Sequence, residues 1–245
     1  MTRVLMPLPC KDFEPTEAAV PWRILRDAGI EVVFATPDGT TAACDPKALA
    51  GVVFGQIGAK ARDAATYREM VADPAFVKPI PFASIDVTQF DALHLPGGHA
   101  PGMRPYLEST VLQEKAVEFF QANKLVSAIC HGPIVLARAV DPKTGRSVLS
   151  GRRMTGLTKL LERAGFWLTV WTLGRHFRTY PAYVQDEVIE AQGATGLFER
   201  GPLVPSYAHP FVVTDGNLLT ARWPGDALGL AKQLVERLRC AETKA

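Results

Sequence analysis

The sequence predicts an α/β protein, a three-layer sandwich on a mostly parallel sheet, and three observations lead there. Residues 4–35 read as an apolar run, an amphipathic helical stretch and a second apolar run. Two more short apolar runs, residues 92–95 and 125–129, each end in a glycine-bearing turn. Helical periodicity comes after both of them. Strand, helix and strand joined by tight links favour parallel pairing, since parallel neighbours need a crossover.

Each element has its own signal. Val4 to Leu8 is a short buried strand. Ala18, Trp22, Leu25 and Ala28 recur at helical spacing and stop at Gly29, a good residue just past a helix end. Pro21 inside that pattern either opens the helix or kinks it; if it opens it, Glu17 stands at the entrance. Ile30 to Ala35 is the next strand, and Pro37-Asp38-Gly39 turns the chain. Residues 59–72 form a helix, and Pro74, Pro79 and Pro81 punctuate the segment after it. Thr110 and Gln113 have capping-box spacing, ahead of an apolar stripe of Leu112, Ala116, Phe119 and Phe120. Pro133 opens a helix that runs to Val140. Asp215-Gly216-Asn217, flanked by apolar runs, is a hairpin signal. Pro224 opens a last amphipathic helix carrying Ala227, Leu230, Leu234 and Leu238. No internal repeat or low-complexity linker interrupts the 245 residues, so one domain is expected.

Composition narrows the function classes. Apolar residues make up 47% and charged ones 21%, normal for a globular chain and too hydrophobic for a disordered one. A net charge of +2 gives no electrostatic case for nucleic-acid binding. No run approaches the ~20 apolar residues of a membrane span, and the first residues lack a signal-peptide pattern. A cytoplasmic protein with reduced thiols is expected. The four cysteines lie far apart with no CxxC pair, against a zinc knuckle or disulfide scaffold, and no histidine has metal-ligand spacing.

Cys130 carries the chemistry. In Ala128-Ile129-Cys130-His131-Gly132-Pro133 it lies between an apolar strand and a helix. Small residues two before and two after permit the strained turn that lifts a nucleophile above the sheet. Placed at a helix N-terminus, the sulfur would be favoured as thiolate. Cys10, Cys44 and Cys240 read instead as small buried hydrophobes. His131 offers a base, and its N–H an oxyanion donor. The turn Pro96-Gly97-Gly98-His99 lets backbone N–H groups approach a ligand, with Gly98 as second donor. Gly97, Gly98, His99 and Gly132 are thus the binding candidates.

With these residues in place, the chain resembles the DJ-1/PfpI (ThiJ/PfpI) superfamily, of the class I glutamine amidotransferase-like, flavodoxin/Rossmann-like fold. The hallmark elbow is matched by residues 128–133, the preceding glycine turn by residues 95–99, and the acidic residue beside the cysteine by Glu17. The continuation into His99, the length, and Met154-Thr155-Gly156 after the elbow resemble the larger chaperone/glyoxalase III branch. That resemblance implies a triad of Cys130, His131 and Glu162, with Glu162 accepting an imidazole N–H. It also implies a Glu17 buried beside the cysteine and kept protonated.

The implied function is a cofactor-independent cysteine enzyme acting on reactive carbonyls, glyoxalase III-like, turning methylglyoxal into lactate. The alternatives are amide or peptide hydrolysis and a stress-response holdase with an oxidation-sensing cysteine. A small carbonyl or amide substrate and a homodimer are the expected partners. Residues 157–205 depart most from the family pattern. Their aromatic and basic residues read as a packing helix, or as a lid whose arginines select acidic substrates.

Overall fold

Strand β1 (Arg3–Pro7) is central, and its Val4, Leu5 and Met6 are buried on both faces, as in a sheet covered by helices on each side. The computed structural model describes residues 1–52, 58–178 and 180–242. After β1 come α1 (Pro15–Asp27), β2 (Glu31–Thr36), α2 (Ala61–Met70), β3 (Ile80–Pro81) and β4 (Ala92–Leu95). Next are α3 (Thr110–Gln121), β5 (Leu125–Ile129), α4 (Pro133–Arg138), α5 (Lys159–Leu173) and α6 (Val184–Gln192). Strands β6 (Val212–Asp215) and β7 (Leu218–Ala221) precede α7 (Ala227–Glu242). The main sheet has the order β6-β7-β5-β4-β1-β2-β3. Every neighbouring pair is parallel except the β6–β7 hairpin, which turns at Gly216 with φ +57°. Helices α1, α2 and α7 pack together as one outer layer, and α3, α4 and α6 form the other.

Helix α1 runs through Pro21 without breaking. Proline has no N–H to give the carbonyl four residues back, which is that of Glu17. His94 supplies the missing donor: its Nε2 lies 3.1 Å from the Glu17 carbonyl oxygen, and its Nδ1 is bonded to Ser127 Oγ at 2.8 Å. Burial lowers the His94 pKa to about 4, so the ring stays neutral. Pro15, in the first turn, opens the helix instead.

Two expected boundaries move, and so does one reading of burial. The cap of α3 is Ser109, whose side chain accepts the Leu112 N–H, so Thr110 is already helical. Helix α4 stops at Arg138 because Val140-Asp141 pairs with Arg146-Ser147 as a small hairpin. Among the three cysteines read as buried filler, Cys44 is buried, Cys10 is half-buried and Cys240 is exposed. Among the described residues, no helix is long and apolar enough to cross a membrane.

Candidate active site

The site lies where β1, β4 and β5 end, with α1 leaning over them. Cys130 follows β5 directly and has φ +58°, a left-handed conformation that a non-glycine residue adopts at a cost of about 1–3 kcal/mol. Three backbone hydrogen bonds hold it there: Cys130 N–H to Ala221 O at 3.2 Å, Gly132 N–H to Ile129 O at 2.8 Å, and Leu157 N–H to Cys130 O at 3.1 Å. The two glycines permit the fit. A Cβ at Gly132 would come 2.2 Å from the Leu95 carbonyl oxygen, and one at Gly97 would come 2.6 Å from the His131 nitrogen. The strained elbow expected from residues 128–133 is therefore present.

Around the sulfur the predicted residues converge unequally. His131 Nδ1 lies 3.4 Å from Cys130 Sγ. The Glu17 carboxyl accepts the Gly97 N–H at Oε2, 2.9 Å away. Its other oxygen is buried with no nitrogen or oxygen partner among the described residues, and the carboxyl interacts with the Cys130 thiol. Gly97 is thus spent on positioning Glu17. The N–H groups of Gly98 and His131 carry no hydrogen bond among the described residues. His99 stacks edge-on against His131, ring centroids 4.8 Å apart, and against Phe177 at 5.7 Å.

Burial sets the electrostatics. It raises the Glu17 carboxyl well above the ordinary carboxylate value, and the nearby Glu14 charge pushes the same way. Glu14 caps α1 by accepting the Glu17 N–H at 2.7 Å, and burial raises its pKa to about 8. Two buried carboxyls side by side keep their protons at neutral pH. Burial also lowers His99 to about 4 and His131 well below its usual value, so both imidazoles are neutral. The Cys130 thiol is driven up by burial and then by Glu17 and Glu14. This corrects the expected thiolate at rest: α4 has only six residues, and its terminus does not offset complete desolvation.

Glu162 is buried in the first turn of α5, but its oxygens are committed elsewhere. Oε1 pairs with the Arg178 guanidinium, and Oε2 accepts the Val184 N–H at 3.0 Å. Among the described residues no hydrogen bond joins it to His131. Arg178, one of the arginines expected to select acidic substrates, is paired with Glu162 and donates to the carbonyls of Pro181 and Ala182. A second anchor ties this loop down, His176 Nε2 to the buried Asp45 carboxylate at 2.9 Å.

Sequence reasoning missed Glu14 and Asp45, and it read His176 and Arg178 as part of a packing helix or lid, not as anchors of the loop. Glu14 had a signal, a polar residue just before Pro15 at a helix start; the others meet across long separations that leave no local pattern. It also foresaw no metal set, yet the ligand atoms of His99, Cys130 and His131 lie within 4.8 Å of one another. Thiolate and imidazole donors suit zinc or copper, and an ion there would tie up the sulfur. Beside this cluster lies a cavity of about 290 Å³, bordered by Glu14, His99, Phe177 and Trp223.

A ThiJ/PfpI family-like model matches residues 8–190. Glyoxalase 3 of Candida albicans is 27% identical over 226 residues, spanning 91% of this chain and 88% of that protein. A deglycase of Pyrococcus abyssi is 29% identical over 241 residues, spanning 97% and 99%. The solved structure of glyoxalase III from Candida albicans superposes with a TM-score of 0.70 at 24% identity, covering 96% of each chain. Drosophila melanogaster DJ-1beta gives 0.57 at 20% identity, covering 97% of this chain and 90% of that one, and shares the fold. With most of its length matched and the elbow cysteine in place, the chain belongs to the ThiJ/PfpI (DJ-1/PfpI) family.

Proposed function

We propose that this protein converts α-oxoaldehydes into 2-hydroxy acids through Cys130, methylglyoxal to lactate being the simplest case. The observation that carries the reading is the pairing of the elbow thiol with two groups able to move protons, neutral His131 at 3.4 Å and protonated Glu17. The sulfur adds to the aldehyde carbon while its proton passes to His131, and the carbonyl oxygen is protonated to give a hemithioacetal. A proton then leaves the former aldehyde carbon and returns at the neighbouring carbon through an enediol. The first carbon is oxidised to a thioester as the second is reduced to an alcohol. Water cleaves the thioester, releasing the hydroxy acid and restoring the thiol. The Gly98 and His131 N–H groups would stabilise the oxyanions of the first and last steps.

A thiol buried beside a cavity of about 290 Å³ favours a small substrate over a peptide. The deglycase-named relatives of matching length support a second reading, hydrolysis of carbonyl–amine adducts, by the same thiol. Lactate formation from methylglyoxal without glutathione tests the first. Turnover by wild type and a loss of at least roughly 10³-fold in Cys130→Ala is expected; turnover retained by Cys130→Ala excludes the mechanism.

A further inference from the structure

Resting on the carbonyl reading, we infer that the preferred substrate is an α-oxoaldehyde with an aromatic or branched apolar side chain, held in the cavity between α5 and the elbow. His99 joins cavity and chemistry, for it borders the cavity and carries a ring nitrogen within 4.8 Å of Cys130 Sγ. The cavity volume, about 290 Å³, is of the size of sites that take small organic ligands larger than a three-carbon aldehyde. Methylglyoxal would leave most of it wet.

One wall comes from α5, whose Leu161, Ala164, Gly165 and Leu168 recur at helical spacing on one face. Gly165 is the telling residue. Glycine inside a helix is unfavourable relative to alanine, and here no turn or positive φ calls for it. A Cβ at Gly165 would meet nothing within 4 Å. The missing side chain keeps the cavity open. Phe177, Tyr207 and Trp223 supply the aromatic part of the lining, and the Trp223 indole N–H is buried with no acceptor among the described residues. An unmatched buried donor is costly. Among the described residues no Lys or Arg borders the cavity, which favours a neutral side chain over an anionic one.

The test compares kcat/KM for phenylglyoxal and methylglyoxal in wild type, Gly165→Phe and the exposed control Trp171→Gln. The ratio cancels the unequal intrinsic reactivity of the two aldehydes once variants are compared. Gly165→Phe, whose Cβ has open space and whose ring would take up cavity volume, is expected to lower the phenylglyoxal-to-methylglyoxal ratio at least about tenfold. Trp171→Gln should leave the ratio alone. An unchanged ratio in Gly165→Phe overturns the assignment. Binding of acetophenone, which lacks the aldehyde, separates this idea from the reaction it rests on. If neither aldehyde is turned over, the carbonyl reading fails. Acetophenone bound by wild type and not by Gly165→Phe would then still support an apolar-ligand cavity. Acetophenone bound by neither protein would overturn that as well.

Discussion

The glycines of the elbow and the glycine of α5 use a missing side chain in opposite ways. At Gly132 and Gly97 backbone atoms already occupy the place a Cβ would take, 2.2 Å from Leu95 O and 2.6 Å from His131 N. At Gly165 the same place is empty. The elbow is over-determined, with a strained cysteine held by three strands' worth of packing, and any added atom must displace backbone. Helix α5 is held on one face only: Glu162 and Thr169 are buried, while Trp167, Leu168 and Trp171 are exposed. On the proposed function, reaction geometry is thereby separated from substrate selection. One region tolerates no change, and the other can change its lining without disturbing the sulfur.

The harshest way to break this contrast is Gly132→Ala. With a carbonyl oxygen at 2.2 Å the elbow has to move, and a stability loss of more than about 3 kcal/mol in urea denaturation is expected. A loss under about 1 kcal/mol would show that the turn is not over-determined. Next is Arg178→Met, which leaves the buried Glu162 carboxylate without its cation. About 3 kcal/mol should be lost at neutral pH, and much of it regained in the double variant with Glu162→Gln.

A third prediction concerns pH. The folded chain holds the Glu14 proton up to about pH 8, whereas the ordinary carboxyl releases it near 4.5. Between those values the folded state binds more protons than the unfolded one, so stability falls as pH rises. The slope from Glu14 is at most about 1.4 kcal/mol per pH unit. Glu14→Gln removes that slope and should raise Tm at pH 8 relative to wild type; a pH profile parallel to wild type would refute the buried-acid assignment. The smallest effect is the mirror of the first. Gly165→Ala should stabilise the protein by about 0.5–1 kcal/mol, and destabilisation would mean that the cavity is not open at that point.

The elbow was legible in the sequence because its rules are local. Ala128 and Gly132 flank Cys130 at the spacing the turn needs, and the apolar run before it and proline after it announce strand and helix. Glu17 and its burial beside the cysteine were legible through family resemblance, but the helix start was not: Pro21 concealed a helix that begins at Pro15, because the His94 donor that replaces the missing N–H sits on another strand. The Ser109 cap lay one residue from the expected one, within the slack of such boundaries. The anchors Asp45–His176 and Glu162–Arg178 had no signature, since each joins residues whose proximity depends on the packed fold.

By itself the sequence determined most of the strands and helices, the elbow with its cysteine, and the glycine turn that faces it. These come from hydrophobic period, proline and glycine stereochemistry, and the sterics of one sharp turn. Only the tertiary structure decided the protonation of the site and the shape of its cavity. Burial of Glu14, Glu17, Cys130 and His131 together removes the water that would ionise them, and desolvation of that kind exists only when distant elements close over the same few side chains.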